Sequence, residues 1–391
     1  MLNIVGGTYI ERCLEPISYK IFGSGLRASI ALSGKEISIQ FNSCVGEKEL
    51  ETASSLCNTF NIKASFLQIE ETISFIYDHP LSSPEVYPNV PDNPAIVLDP
   101  IDSDIILYYG MIEATAKVNG TYVIYDPQNY INFKSTGSTA KHLAIILNRK
   151  EAIYFYGSKD SEDLHKIGKA LLDAEDAEVI VIKDGSNGAL VVENSGYSTI
   201  PVFKTDSVWP IGSGDIFSAV FAWKWAEEKL PAKEAAYIAS LFTAFYCDTQ
   251  DIQLPNKPRH YDALPKIADK KKVYLAGPFF TMGERWLIQE LRQALIDFGN
   301  IVFSPFHDVG LGSSPTLVQQ DIEGIINSDV LLAVFNGSDP GTLFEIGYAK
   351  ALGKKVVVIA ENASSQDLFM LVGTGCEITY DIATAVYKTS W

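Results

Sequence analysis

The sequence predicts an α/β protein of two units, each built on a parallel sheet. Short apolar, β-rich runs alternate with helix-like stretches along the 391-residue chain, the pattern of strands joined by crossover helices. A proline-dense stretch at 251–271 interrupts this alternation. Its Pro255, Pro258 and Pro265 break regular structure and suit an exposed connector. Composition is ordinary for folded domains, 47 % hydrophobic and 20 % charged, which argues against disorder as the main state. The expected layout is a first unit over 1–254, a linker over 255–271 and a second unit over 272–391.

In the first unit the apolar runs place strands at 2–5, 37–41, 95–98, 105–109, 122–125, 152–156 and 178–182. Helical spacing places helices at 48–60, 161–174, 214–228 and 233–247. In the second unit strands are expected at 273–276, 301–303, 330–335 and 355–359. Its helices are expected at 283–298, 315–328 and 342–352. Sheets of this kind collect ligands at the carboxyl ends of their strands.

Charge and cysteine use narrow the function classes. The formal net charge is −17, with 31 Lys and Arg against 48 Asp and Glu, which argues against binding a nucleic-acid polymer through its phosphates. The opening residues M-L-N-I-V-G-G-T have no basic region and no long apolar core, so they do not read as a signal peptide. No window approaches the roughly 18 uninterrupted apolar residues of a membrane span. The five cysteines are dispersed, which fits reduced thiols and a cytoplasmic location. The five histidines form no paired ligand pattern, so no metal site is expected from them.

The first group of chemistry-bearing residues is I-G-S-G-D-I-F at 211–217. Gly212, Ser213 and Gly214 form a small-residue turn entering a helix, where unpaired amides make an anion site. Asp215 stands in the first helical turn, where it could take a proton from an attacking hydroxyl. On spacing alone, an ordinary helix cap by Asp215 is the better account.

The surroundings add a resemblance over about residues 1–250. G-S-G-D followed by Ile216 and Phe217 resembles the signature of the PfkB-type, ribokinase-like carbohydrate kinases. Ile4-Val5-Gly6-Gly7 resembles that family's opening strand, and Val45-Gly46-Glu47 a further turn. Asn148 and Glu151 resemble the N-x-x-E segment that helps place magnesium. Lys183 through Ala189 resembles the strand and turn near the nucleotide. The resemblance implies ATP and Mg²⁺ as cofactors and phosphorylation of a sugar or nucleoside hydroxyl. It makes Asp215 the base and Gly212, Ser213 and Gly214 the anion hole. The sequence departs from the family at three places. Glu11 stands where an early substrate-binding Asp is usual, Gly23 to Ser29 lacks the usual Asn, and Trp209-Pro210 replaces Asp-Thr.

The second group is D-P-G-T-L-F-E-I-G-Y-A at 339–349. Pro340-Gly341 reads as a tight turn with Gly341 free to take positive φ. Thr342 and Glu345 fit a capping box opening the next helix. That accounts for one carboxylate but not for its neighbours Asp321, Asp329 and Asp339. Several acids at strand ends suit glycosyl transfer, whose oxocarbenium-like transition state a carboxylate stabilises.

Residues 272–391 resemble the nucleoside 2-deoxyribosyltransferases along nearly their whole length. Tyr274 to Phe279 resembles the opening Y-L-A-G-P-F. Asp321 through Asp329 resembles the D-x-x-x-I-x-x-S-D segment, and Asp339 through Ala349 the D-x-G-x-x-x-E-x-G-Y-A segment. The resemblance implies Glu345 as nucleophile at C1′ and Tyr274 as the group that orients it. It implies Asp321 as proton donor to the leaving base and Asp339 as holder of a sugar hydroxyl. Gly277 would let the first loop approach the substrate. No cofactor is needed for this chemistry, and a homo-oligomer is implied.

Together the two resemblances imply a ribokinase-like α/β/α domain followed by a smaller flavodoxin- or Rossmann-like doubly wound domain. The expected ligands are a small nucleoside, nucleotide or sugar, with no nucleic-acid polymer and no membrane. One reading is an enzyme of nucleoside metabolism whose second domain cleaves or exchanges an N-glycosidic bond. The other is a nucleotide-sensing first domain that controls a nucleotide- or NAD-degrading glycosyl hydrolase.

Overall fold

The computed structural model describes residues 1–89, 96–157, 163–265, 270–310, 312 and 314–391. The chain divides into two units, Met1–Lys266 and Ile267–Trp391.

The first unit is organised by a nine-stranded sheet. In spatial order its strands are Gly196–Ile200, Ala189–Glu193, Val179–Lys183, Thr139–Asn148, Val118–Asp126, Ile101–Tyr109, Leu2–Val5, Ile39–Gly46 and Lys63–Ile69. The first two pairings at one edge are antiparallel, and all the others are parallel. Buried runs such as Val179–Ile182 and Ile105–Tyr109 are apolar on both faces, as a sheet covered on both sides requires. A four-stranded side sheet, ordered Ser18–Ile21, Ile10–Cys13, Ser74–Tyr77 and Glu85–Tyr87, carries Glu11.

Several elements differ from the sequence expectation. The run 152–156 is not a strand but part of the helix Arg149–Tyr156. Its aromatic and β-branched residues suggest a strand, yet Asn148 and Glu151 form a capping box that commits the chain to a helix, and Gly157 ends it in the left-handed region. The strand lies one step earlier, at Thr139–Asn148. Gly23 to Ser29, the segment that lacks the usual Asn, belongs to the helix Gly23–Leu32, buried throughout. The expected helix 214–228 is the helix Ser213–Ala222 followed by a wide turn at Trp223–Glu227. Of the strand expected at 95–98, Ile96–Val97 is paired and residue 95 lies outside the described residues. The helix expected at 161–174 spans Leu164–Glu175, with residues 161–162 outside the described residues.

The segment expected as a linker over 255–271 is tied down along its first part. Tyr261 is buried with Phe203 and Ala244, its hydroxyl donates to Asp248 Oδ2 at 3.1 Å, and Ala263 bridges Phe203. The prolines prevent regular structure there, while one aromatic ring anchors the segment to the first unit. Residues 266–269 of that linker lie outside the described residues.

The second unit is a five-stranded, all-parallel sheet in the order Ile301–Phe303, Lys272–Ala276, Val330–Val334, Lys355–Ile359, Glu377–Thr379. In chain order this is 2-1-3-4-5, the doubly wound arrangement of flavodoxin-like folds. The direction of winding reverses beside the strand Lys272–Ala276, which opens a crevice at its carboxyl end. Both units are therefore α/β. Among the described residues, no helix is long and apolar enough to cross a membrane.

Candidate functional site

The crevice of the second unit gathers three acids and a tyrosine. Tyr274 is fully buried in the first strand of that unit, stacked on Phe303 at 5.5 Å, and its hydroxyl donates to Glu345 Oε1 at 2.6 Å. Burial pushes the Glu345 carboxyl up to about 7, and the charges of Asp321 and Asp339 push the same way. The Tyr274 hydrogen bond pulls in the opposite direction. The Tyr274 hydroxyl is held well above its ordinary value, by burial first and by Glu345 second, so it stays a proton donor. Burial also raises Asp321, whose Oδ1 is shielded from solvent and has no hydrogen-bond partner.

The turn before Glu345 differs from its sequence reading. The helix is Pro340–Ala351, and Asp339 caps it: Asp339 Oδ2 accepts from the Thr342 amide at 2.7 Å and the Thr342 hydroxyl at 2.8 Å. Thr342 and Glu345 therefore form no capping box. Gly341 lies inside the helix, and Gly337 and Ser338 take the positive φ instead. Pro340 explains the shift, because its fixed φ suits the first helical position. The consequence is chemical: Glu345 is released from capping and points its carboxyl at Tyr274. Asp339 has one oxygen committed to the cap. Gly277 is required from the core side, since a Cβ there would come within 2.8 Å of Ile288 Cδ1 and 3.0 Å of Val334 Cβ.

In the first unit the carboxyl ends of adjacent parallel strands bring together Tyr109, Asp126, Asn148 and Lys183. Gly212 caps the helix Ser213–Ala222 in the left-handed region, with φ 80°, and Asp215 makes no cap. Instead Asp215 Oδ2 accepts from Arg27 Nη1 at 2.5 Å, and Oδ1 accepts from Gln128 Nε2 at 2.7 Å. The Tyr109 hydroxyl donates to the Asp215 carbonyl at 2.7 Å. Glu11, expected to hold substrate, instead accepts from Arg27 Nη2 and from the Gly23 amide. Burial works against the Arg27 charge, but Glu11, Tyr246 and Asp215 outweigh it and hold the guanidinium well above its usual range.

Lys183 Nζ pairs with Asp126 at 2.9 Å, and Ser218 donates to the same Asp126 oxygen at 2.7 Å. Lys183 Nζ also stands 3.2 Å from where a Cβ on Gly214 would lie, beside the glycine turn. Asn148 and Glu151 cap each other's backbone. Burial, and then the charge of Asp126, push Glu151 up to about 7. Sequence reasoning missed Arg27, Asp126 and Gln128 as members of this group. Arg27 stood in plain view in the segment that lacks the family's Asn, and an arginine amid small, apolar residues was the available signal.

Comparison with known proteins divides the chain in the same order. Residues 108–258 match the family model of the pfkB family carbohydrate kinases, and residues 273–379 match that of nucleoside 2-deoxyribosyltransferase. The first match holds Asp215 and the glycine turn, whereas Glu11 and Arg27 precede it. The second holds Tyr274, Asp321, Asp339 and Glu345. No curated protein matches the chain. Among solved structures, a ribokinase from Thermotoga maritima is 17 % identical, covers 65 % of this chain and 96 % of its own, and has a TM-score of 0.46. A Burkholderia thailandensis nucleoside kinase solved with inosine is 14 % identical over 65 % of this chain and 93 % of its own, with a TM-score of 0.48.

Proposed function

We propose that the second unit cleaves or exchanges the N-glycosidic bond of a nucleoside, deoxynucleoside or nucleotide through Glu345. The observation that carries this is the 2.6 Å hydrogen bond from Tyr274 to a half-buried Glu345 carboxyl, with Asp321 in electrostatic reach. Tyr274 fixes Glu345 Oε1 and leaves Oε2 for attack. In the first step Oε2 forms a bond to C1′ as the C1′–N bond breaks, and the base leaves with the Asp321 proton. In the second, the nitrogen of another base or a water molecule attacks C1′, Asp321 takes up its proton, and Glu345 is released. Asp339 supports a sugar hydroxyl with its remaining oxygen.

For the first unit, the proposal is binding of a nucleoside, nucleotide or sugar, with ATP phosphates over Gly212, Ser213 and Gly214. Mg²⁺ would be carried by those phosphates and would neutralise their charge. Such an ion takes only one or two protein carboxylates. Glu151, buried and raised to about 7, fits that part, since a cation would relieve the burial of its charge. The Arg27–Asp215 pair favours a second reading of the whole chain, in which the first unit senses a nucleotide and the second degrades a nucleotide or NAD.

The test is to incubate the full chain with nucleosides, deoxynucleosides, nucleotides and NAD, with and without a second free base, and to follow products by chromatography. Free base alone marks hydrolysis, and a new nucleoside marks exchange. No base release from any of them, with Glu345→Ala indistinguishable from the parent, overturns the reading.

A further inference from the structure

A general base must lie within hydrogen-bond reach of the hydroxyl it deprotonates. In Asp215 the Arg27 guanidinium already holds Oδ2 and the Gln128 amide holds Oδ1, so the carboxylate is engaged as the counter-ion of a buried cation. The arginine is itself pinned. Its side chain is 2 % exposed, its helix is buried throughout, and Glu11 binds its other terminal nitrogen. One donor is left over. Arg27 Nε is buried without a partner and stands against Gly212, where a Cβ would overlap it. Leaving a buried donor unsatisfied is costly, which points to an acceptor that this atom takes from a ligand. Gly212 opens the helix Ser213–Ala222, whose Ser213 amide donates to the Pro210 carbonyl at 3.0 Å, and Lys183 Nζ flanks the turn beside Gly214.

We propose that Arg27 makes the first unit a receptor that binds a nucleoside di- or triphosphate without transferring a phosphoryl group. Arg27 keeps Asp215 as a counter-ion, so the carboxylate does not serve as a base. The Arg27 Nε, the helix amides that follow Ser213 and Lys183 hold the phosphate end of the ligand. Among the described residues four carboxyl groups, on Glu11, Asp126, Glu151 and Asp215, face three cations, Arg27, Lys183 and Lys20, the last paired across the strand from Glu11. The phosphates therefore enter with Mg²⁺, and binding depends on it. This inference rests on the reading of the first unit as a small-molecule binder.

The experiment is calorimetry on the full chain with ATP, ADP and the neutral nucleoside adenosine, each with and without Mg²⁺. Mass spectrometry then follows ATP incubated with ribose, deoxyribose and nucleosides. The expected result is Mg²⁺-dependent binding of ATP and ADP with no phosphorylated acceptor. Arg27→Lys keeps a charge for Glu11 and Asp215 but loses Nε, and weakens nucleotide binding by about ten- to a hundred-fold, the worth of one charge-assisted hydrogen bond. The pair Arg27→Met with Glu11→Gln removes one cation and one anion, keeps the cluster's net charge, and weakens binding likewise, with circular dichroism checking the fold. A phosphorylated product that disappears in Asp215→Asn overturns the inference, as does undiminished ATP binding in Arg27→Lys. Adenosine binding without nucleotide binding overturns the inference alone. Failure to bind either ligand overturns the underlying reading of the first unit.

Discussion

The two units each place a buried carboxyl in the first two turns of a helix, and they treat it in opposite ways. Asp215 meets a permanent cation, Arg27, on one oxygen and a second donor, Gln128, on the other. Glu345 meets a neutral donor, the Tyr274 hydroxyl, on one oxygen only. The guanidinium pairs with its carboxylate as a counter-ion, whereas the neutral hydroxyl only orients its carboxyl and leaves the second oxygen without a side-chain donor. Burial then raises Glu345 to about 7, near the range where protonation can be switched. The same functional group is a counter-ion in one unit and a candidate nucleophile in the other because of the partner it meets.

The largest expected effect breaks the Glu345 side of this contrast. Glu345→Gln keeps the acceptor for Tyr274 but removes the nucleophile, and base release falls by at least about a thousand-fold, as losses of covalent nucleophiles do. Release at the parental rate shows that Glu345 forms no glycosyl ester.

Tyr274→Phe sharpens the contrast. It removes the bond that lowers the Glu345 pKa, so that pKa rises. The parent needs ionised Glu345, and kcat/KM declines as pH falls through about 7. In the variant this acid limb moves to higher pH, and kcat drops by about ten- to a hundred-fold through lost orientation. An unmoved acid limb in a rate–pH profile assigns that limb to another group.

The smallest effect is on stability. The Glu345 pKa is raised in the folded state, so its contribution is greatest below the unfolded value of 4.5 and is lost as pH rises through about 7. Replacing the carboxyl by an amide therefore stabilises the second unit more at pH 8 than at pH 5. The difference is about 1–3 kcal/mol, a few degrees of melting temperature. Equal shifts at both pH values, read by calorimetry, show that burial does not disfavour the charged form.

The elements that sequence made legible are those defined by local pattern. The buried strand Lys355–Ile359 and the helix Glu47–Thr59 show their spacing within one window. The strands Ser18–Ile21 and Glu85–Tyr87 do not, because they are short, half exposed and held by a side sheet. Helix Arg149–Tyr156 was hidden for a different reason: its start is local, an Asn and a Glu three apart, but its aromatic residues suit a strand equally well.

By itself the sequence determined the two-unit α/β character and the chemical types at Tyr274, Asp321, Asp339, Glu345 and the Gly212–Asp215 turn. These follow from short-range periodicity and from motifs whose residues lie close in the chain. Only the tertiary structure decided which partner each carboxyl received. Arg27 and Asp215 are 188 residues apart, and Tyr274 and Glu345 are 71 apart. The first pair joins the helices Gly23–Leu32 and Ser213–Ala222, and the second joins the strand Lys272–Ala276 to the helix Pro340–Ala351, so each forms only when elements far apart in the chain pack together, and no local window contains that geometry.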